Sequence, residues 1–408
     1  MKALVTGITG FAGGHLAAHL LALGDQLLGT SRGAAVCTLH PWQFAKPGRL
    51  TETLDAARQS SVLGSLDQAS DEAQSQIDAA ANPMLAAAGE VSQQSIDQYT
   101  QAMERAQAAI AAARGHLSSL AKSLPAIQQP PRLATIPLVL WDVTEPVPGV
   151  VLDRIAAFEP DVIFHLAAES IPSKCSLPGQ STPTAEAWSA NVGSVSNVLA
   201  LAEGLPRRPK VVILSSSQVY APAAPDAGPL HEDFPVAPVN GYGKTKLAAE
   251  HEALRAVDGG LQVVIARAFN HSGPGQWPPL MLPEWCEQLA SGSASLRIQS
   301  ADSWVDLTDV RDTVRAYRLL AERGVSGTAY NIGSGVSRRT GDILKVLLEL
   351  AGPRQVIETN ARTIHGPVAD TSRLQKTTGW KPEISLQEML TDTLAWWRTA
   401  PRRPLSHT

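Results

Sequence analysis

Thr6-Gly7-Ile8-Thr9-Gly10-Phe11-Ala12-Gly13-Gly14-His15 is the stretch on which the fold turns. Just before it, Ala3-Leu4-Val5-Thr6 is an apolar run of strand length. Behind it, Phe11, Leu16, His19, Leu20, Leu21 and Leu23 follow a helical pattern that Gly24 stops, and Gln26-Leu27-Leu28-Gly29 starts a second strand. Strand, glycine-rich turn, helix and strand make the start of a βαβ unit. Gly7, Gly10 and Gly13, spaced three and three, let the backbone turn sharply and approach a pyrophosphate. The helix N-terminus then adds N–H groups and a positive dipole end. In this strand–turn–helix setting the glycine triplet predicts dinucleotide binding by Gly7, Thr9, Gly10, Phe11, Ala12 and Gly13.

Further strands are expected at Ile136–Leu140, Val162–His165, Val211–Leu214 and Val263–Ala266, with helical stretches between them. Alternation of strand and helix over this length predicts an α/β fold, a doubly wound parallel sheet of Rossmann type covered on both faces. A segment of different composition interrupts it. Leu63, Leu66, Ser70, Ala73 and Ile77 step by three and four. After Asn82-Pro83, the residues Ile96, Tyr99, Met103, Ala106, Ile110, Ala113, Leu117, Leu120 and Leu124 do the same. Two such stripes predict an inserted antiparallel helical hairpin over 51–125, with Gln128-Gln129-Pro130-Pro131 as its exit. Its role is either a passive insertion or a dimerisation arm or lid. The expected organisation is a nucleotide-binding domain over 1–50 and 126–266, then a smaller, mainly substrate-binding domain over 267–408 that returns elements to the core.

Composition narrows the function. The 408 residues are 44% hydrophobic and 18% charged, with 34 Lys and Arg against 38 Asp and Glu, a formal net charge of −4. That balance is globular, and it lacks the positive field that nucleic acid or an anionic membrane would require. Cys37, Cys175 and Cys286 are scattered and form no CxxC pair, so neither a disulfide framework nor a metal site is expected. With no apolar stretch of membrane-spanning length and no export signal, the expected location is the cytoplasm.

An acidic residue at the end of the second strand would bind a ribose 2′-hydroxyl. Here Gly29-Thr30-Ser31-Arg32-Gly33 stands there instead. Arg32 suits a 2′-phosphate, which favours NADP over NAD. Asp142, after the strand that ends in Leu140, is a candidate for the adenine amino group or for a turn. Tyr242 and Lys246 lie four residues apart in Asn240-Gly241-Tyr242-Gly243-Lys244-Thr245-Lys246, on one face of an expected helix. An ammonium beside a tyrosine is expected to lower the phenol pKa and fit it for proton transfer to or from a sugar or alcohol oxygen. Upstream, Val211-Val212-Ile213-Leu214 runs into Ser215-Ser216-Ser217, so hydroxyls are delivered to the carboxyl edge of the sheet, where Ser216 can bond the same oxygen.

Together these strings resemble the extended short-chain dehydrogenase/reductases, the nucleotide-sugar epimerase, dehydratase and reductase group. The resemblance rests on Thr6 to Gly13, His165-Leu166-Ala167-Ala168, Asn191-Val192, Ser215-Ser216-Ser217 and Tyr242 with Lys246. It implies catalysis by Ser216, Tyr242 and Lys246, and cofactor contacts from Leu166, Ala167, Ala168 and Lys246. It also implies substrate contacts from Ser170, Ser217, Gln218 and Asn270. Arg267-Ala268-Phe269-Asn270-His271-Ser272-Gly273-Pro274-Gly275-Gln276, Asp306 to Asp312 and Tyr330 to Gly335 are most similar to reductases of GDP-4-keto-6-deoxymannose. The dehydratases carry a glutamate at position 218 and the epimerase-reductases a cysteine. Gln218 is no base at neutral pH, so plain keto reduction is the expected reaction. The rivals are a C4 epimerase holding NAD, a dehydratase with an unusual base, and a non-catalytic scaffold. Trp304-Val305 stands where these enzymes carry a diphosphate-binding arginine, which leaves Arg297 and Arg362 as candidates for that task. The resemblance also implies a homodimer.

Overall fold

The computed structural model describes residues 1–55, 134–224, 226–360 and 362–399. The chain divides into two compact units, Met1–Thr51 with Leu133–Thr408, and Glu52–Arg132. The expected hairpin, its role as arm or lid, and its exit at Gln128–Pro131 lie outside the described residues, apart from a helical start over Leu50 to Asp55.

The first unit is built on an eight-stranded sheet. In chain order its strands are β1 (Lys2–Thr6), β2 (Gln26–Ser31), β3 (Val36–Leu39), β4 (Ala134–Leu140), β5 (Val162–His165), β6 (Lys210–Ser216), β7 (Val263–Ala268) and β8 (Ala329–Ile332). Across the sheet the order is β8-β7-β6-β5-β1-β2-β4-β3. Every pairing is parallel except that of β3 with β4, where Cys37 faces Ile136. The expected parallel sheet is therefore present, with two additions. At one edge is β3, whose exposed–buried alternation suits an edge strand. At the other is β8, which residues 267–408 return to the sheet.

Strand alternation sends successive residues to opposite layers. Ala3, Val5, Phe164, Val212 and Val264 pack with helices α1 (Phe11–Ala22) and, further along the chain, Val310–Arg323, through Leu16, Leu20, Val314, Tyr317 and Leu320. Leu4, Ile163, Val211, Ile213 and Ile265 pack on the other face, against α2 (Gly149–Phe158), α3 (Ser194–Gly204) and α4 (Gly241–Asp258). Beyond β7 come α5 (Met281–Ala290), α6 (Val310–Arg323), α7 (Thr340–Ala351), α8 (Ser372–Thr378) and α9 (Leu386–Thr399). Three short strand pairs accompany them: His271–Ser272 with Thr308–Asp309, Trp304–Asp306 with Ser337–Arg339, and Ser295–Ile298 with Gln355–Glu358.

Two buried polar clusters tie distant segments. Arg267 of β7 donates to both carboxylate oxygens of Glu250 on α4 at 2.9 and 2.7 Å, and to Tyr220 Oη at 3.1 Å. Tyr220 in turn donates to Asn331 of β8 at 2.6 Å. Asp392 of α9 accepts from the backbone N–H groups of Gly48 and Leu50 at 2.9 and 3.3 Å, and from Arg311 of α6 at 2.7 Å.

Candidate active site

Parallel strands present their last residues at one edge, and here that edge bounds a cleft of about 740 Å³. The glycine loop after β1 forms one end. Gly7 has φ +67°, and a Cβ there would stand 2.6 Å from the backbone nitrogen of Ala167, so only glycine lets the two strand ends approach this closely. α1 begins immediately after Gly10, with no side-chain cap and no acidic residue in its first turn. Its first N–H groups are left for a ligand, and no carboxylate opposes an anion. This cradle fits the pyrophosphate of a dinucleotide. Gly7, Thr9, Gly10, Phe11, Ala12 and Gly13 all border the cleft, as do Leu166, Ala167 and Ala168 after β5.

Arg32, exposed at the end of β2, and Asp142, after β4, also border it. Arg32 has no ion-pair partner among the described residues. Asp142 Oδ1 accepts from the Thr144 N–H at 3.1 Å and hydroxyl at 2.8 Å, so one of its oxygens serves a turn while the residue lines the cleft.

The hydroxyl, phenol and ammonium expected to do chemistry meet at the centre. β6 delivers Ser216, and the turn Ser217–Val219 follows. α4 is capped by the Asn240 side chain, which accepts from the Gly243 N–H at 2.8 Å. Its first turn lies against that of Ser217–Val219: a Cβ on Gly243 would fall 2.2 Å from the Gln218 carbonyl oxygen, so glycine permits the contact. This brings the Tyr242 phenol beside the Ser216 hydroxyl, which itself accepts from the Gln218 N–H at 3.2 Å. One turn along, Lys246 donates to the Leu214 carbonyl at 2.9 Å, with its nitrogen 5.8 Å from the centre of the tyrosine ring.

The electrostatics correct one expectation. Tyr242 is not lowered toward the neutral range. Burial pushes it up to about 12, against the lowering effect of the nearby Ser216 hydroxyl, and Cys175 and Glu169 add to the rise. Burial brings Lys246 down to about 8. Desolvation is the largest cause for each group, so the phenol holds its proton and stands ready to give it.

Ser170, Ser217, Gln218 and Asn270 also line the cleft. Gln218 Oε1 accepts from Asn240 Nδ2 at 2.8 Å, which fixes the amide at the cleft wall. Arg297 and Arg362 do not reach the wall. Arg297 is the outward residue of Ser295–Ile298, where Leu296 and Ile298 point in, and Arg362 sits on an exposed turn held by Asn360. Trp304 and Val305 pair with Arg339 and Arg338 on the neighbouring strand.

Several wall residues escaped the sequence reading: Glu169, His271, Trp277 and Tyr317. Trp277 is backed by Trp396 and Trp397 of α9, with ring centres 5.5 and 5.1 Å away. The strings containing His271 and Tyr317 were recognisable, but nothing local in them marks a cleft position. Among the described residues no cluster of three or more His, Cys, Asp or Glu side chains offers a metal site, and no helix is long and apolar enough to cross a membrane.

The sequence profile of the NAD dependent epimerase/dehydratase family matches residues 111–333. GDP-6-deoxy-D-mannose reductase from Pseudomonas aeruginosa is 30% identical over 257 residues, 60% of this chain and 82% of that protein. dTDP-6-deoxy-L-talose 4-dehydrogenase (NAD(P)(+)) from Kitasatospora kifunensis is 28% identical over 226 residues, 52% of this chain and 71% of its own length. Among solved structures, RMD from Pseudomonas aeruginosa complexed with NADPH superposes with a TM-score of 0.63 at 21% identity, covering 98% of this chain and 99% of that one.

Proposed function

The chain belongs to the NAD dependent epimerase/dehydratase family, and from that premise we propose that it is an NADPH-dependent reductase of a 4-keto sugar nucleotide, GDP-4-keto-6-deoxymannose. The observation that carries this reading is the buried Tyr242 phenol set beside Ser216 in the cleft, next to a Gln218 amide held by Asn240. A reduction needs a proton donor at the carbonyl oxygen and no base at that place.

The bound reduced nicotinamide would supply the hydride. Ser216 orients the substrate oxygen, Tyr242 gives its phenolic proton to it, and the carbonyl becomes a hydroxyl. Lys246 places positive charge near the phenolate so formed, and solvent returns the proton. The relative from Pseudomonas aeruginosa, named as a GDP-6-deoxy-D-mannose reductase, supports the choice of substrate. Arg32 at the cleft edge, and the NADPH in the structure of RMD, support NADP. The same proposal takes the enzyme to be a cytoplasmic homodimer. The free, buried state of Cys37, Cys175 and Cys286 suits that compartment.

The test mixes purified protein, NADPH and enzymatically made GDP-4-keto-6-deoxymannose, with absorbance at 340 nm and product analysis. Rapid NADPH consumption with a GDP-deoxyhexose product is expected. NAD co-purifying with the protein, and interconversion of C4 epimers without net oxidation, would replace this reading with a C4 epimerase.

A further inference from the structure

Two carboxylates border the cleft among the described residues, Asp142 and Glu169. Asp142 is engaged by Thr144, at the end of the cleft formed by β2 and β4. Glu169 lies past Ala168, on the same stretch of wall as Ser170, beyond the end of β5. Its backbone is clamped on both sides by one side chain. Asn191 Oδ1 accepts from the Glu169 N–H at 2.8 Å, and Asn191 Nδ2 donates to the Glu169 carbonyl at 3.1 Å. The same Nδ2 donates to the Thr245 hydroxyl at 2.9 Å, one residue before Lys246. Glu169 is thereby registered against the catalytic helix rather than left on a free loop. One carboxylate oxygen, Oε1, accepts from the Ile171 N–H at 3.0 Å. No ion pair neutralises the group among the described residues, and its charge reaches both Tyr242 and Cys175.

We propose that Glu169 is a specificity-determining residue whose carboxylate accepts a hydrogen bond from a hydroxyl of a neutral sugar and repels a sugar bearing its own carboxylate. The proposal rests on the reading of the cleft as a sugar-nucleotide site. A half-buried carboxylate with one oxygen committed to the backbone keeps a second oxygen as an acceptor, and charge-assisted hydrogen bonds are the stronger kind. A uronate placed beside it would meet a like charge in a site screened less than bulk water, a penalty on the order of a hundredfold in affinity.

The substitution that tests this is Glu169→Gln, because the amide oxygen still accepts from Ile171 and only the charge is removed. Binding of GDP-mannose and of GDP-mannuronate to the NADP-loaded protein is measured by calorimetry. The wild-type protein is expected to bind the neutral sugar about thirtyfold or more tightly than the uronate. Glu169→Gln should weaken GDP-mannose less than about tenfold and tighten GDP-mannuronate about tenfold or more, opposite directions that loop damage cannot produce. Glu169→Ala, which also removes the Ile171 contact, should weaken the neutral sugar further. If Glu169→Gln moves both ligands together or neither, Glu169 is structural and the proposal is wrong, while the sugar-nucleotide reading stands. If the wild-type protein binds NADP but neither sugar nucleotide, that reading falls and takes the proposal with it.

Discussion

Tyr242 and Lys246 are displaced by burial in opposite senses, to about 12 and about 8. The sign matters for catalysis. A phenol at 12 stays protonated throughout the physiological range, so it can act as an acid but does not titrate there. An ammonium lowered to 8 is present below that pH and lost above it. Reduction is therefore expected to be flat below about pH 7 and to fall about tenfold per unit well above 8, with Lys246 as the titrating group. A pH profile of kcat/KM that stays level past pH 9.5 would contradict this. Tyr242→Phe removes the proton but keeps the ring, and should lower kcat by about 10²- to 10⁴-fold with NADPH affinity within about twofold. Near-normal turnover in stopped-flow assays would dismiss the acid role. The pairing of these residues was legible in the sequence, because a spacing of four puts two side chains on one helical face. The direction of the tyrosine shift was not. It depends on packing against Cys175 and Ala187, brought in from segments more than fifty residues away.

Helix α4 carries the catalytic pair on one part of its surface and Glu250 on another, and Glu250 anchors the helix to β7 through Arg267. Both partners of this pair are buried, with side-chain exposures of 3% and 8%. Removing one charge strands the other in the interior. Glu250→Ala is expected to destabilise the protein by about 3–5 kcal/mol, read as a lowered urea midpoint. Glu252→Ala, which breaks the more exposed pair with Arg255 on the same helix, should cost less than about 1 kcal/mol. Equal losses for the two would refute the distinction. At this scale the strands read well where both faces are covered: Val211-Val212-Ile213-Leu214 is a continuous apolar run because helices pack on each side. β3 did not read. Its four residues alternate at an exposed edge, and its partner lies across the insertion. Arg297 lies off the cleft wall for a related reason. Whether a strand residue faces a cleft or solvent is fixed by pairing with Gln355–Glu358, which no local pattern reveals.

At the scale of the whole molecule, the packed histidines His15 and His165 of the described residues make stability depend on acid. Burial lowers His15 to about 4 and His165 to about 3, although the Pro274 carbonyl partly supports the charge of His15. Unfolded, each would titrate near 6.5. Folding thus keeps them neutral, at no cost above pH 6.5. Below it the unfolded chain binds more protons, and stability falls by about 1.4 kcal/mol per pH unit for each histidine until the folded values are reached. Urea midpoints at pH 7.5 and 5.0 should separate accordingly, and the gap should narrow in His165→Asn. Identical midpoints at the two pH values would rule this out. The whole molecule also sets an order of events during synthesis. Gly48 and Leu50 are held by Asp392, more than 340 positions later in the chain. A growing polypeptide cannot make that contact until α9 has left the ribosome. At translation speeds of about 5–20 residues per second the wait is roughly 20–70 s. For that interval the N-terminal segment has no permanent partner at this point, and the time it spends so is governed by the rate of elongation, not by how fast the finished protein can fold.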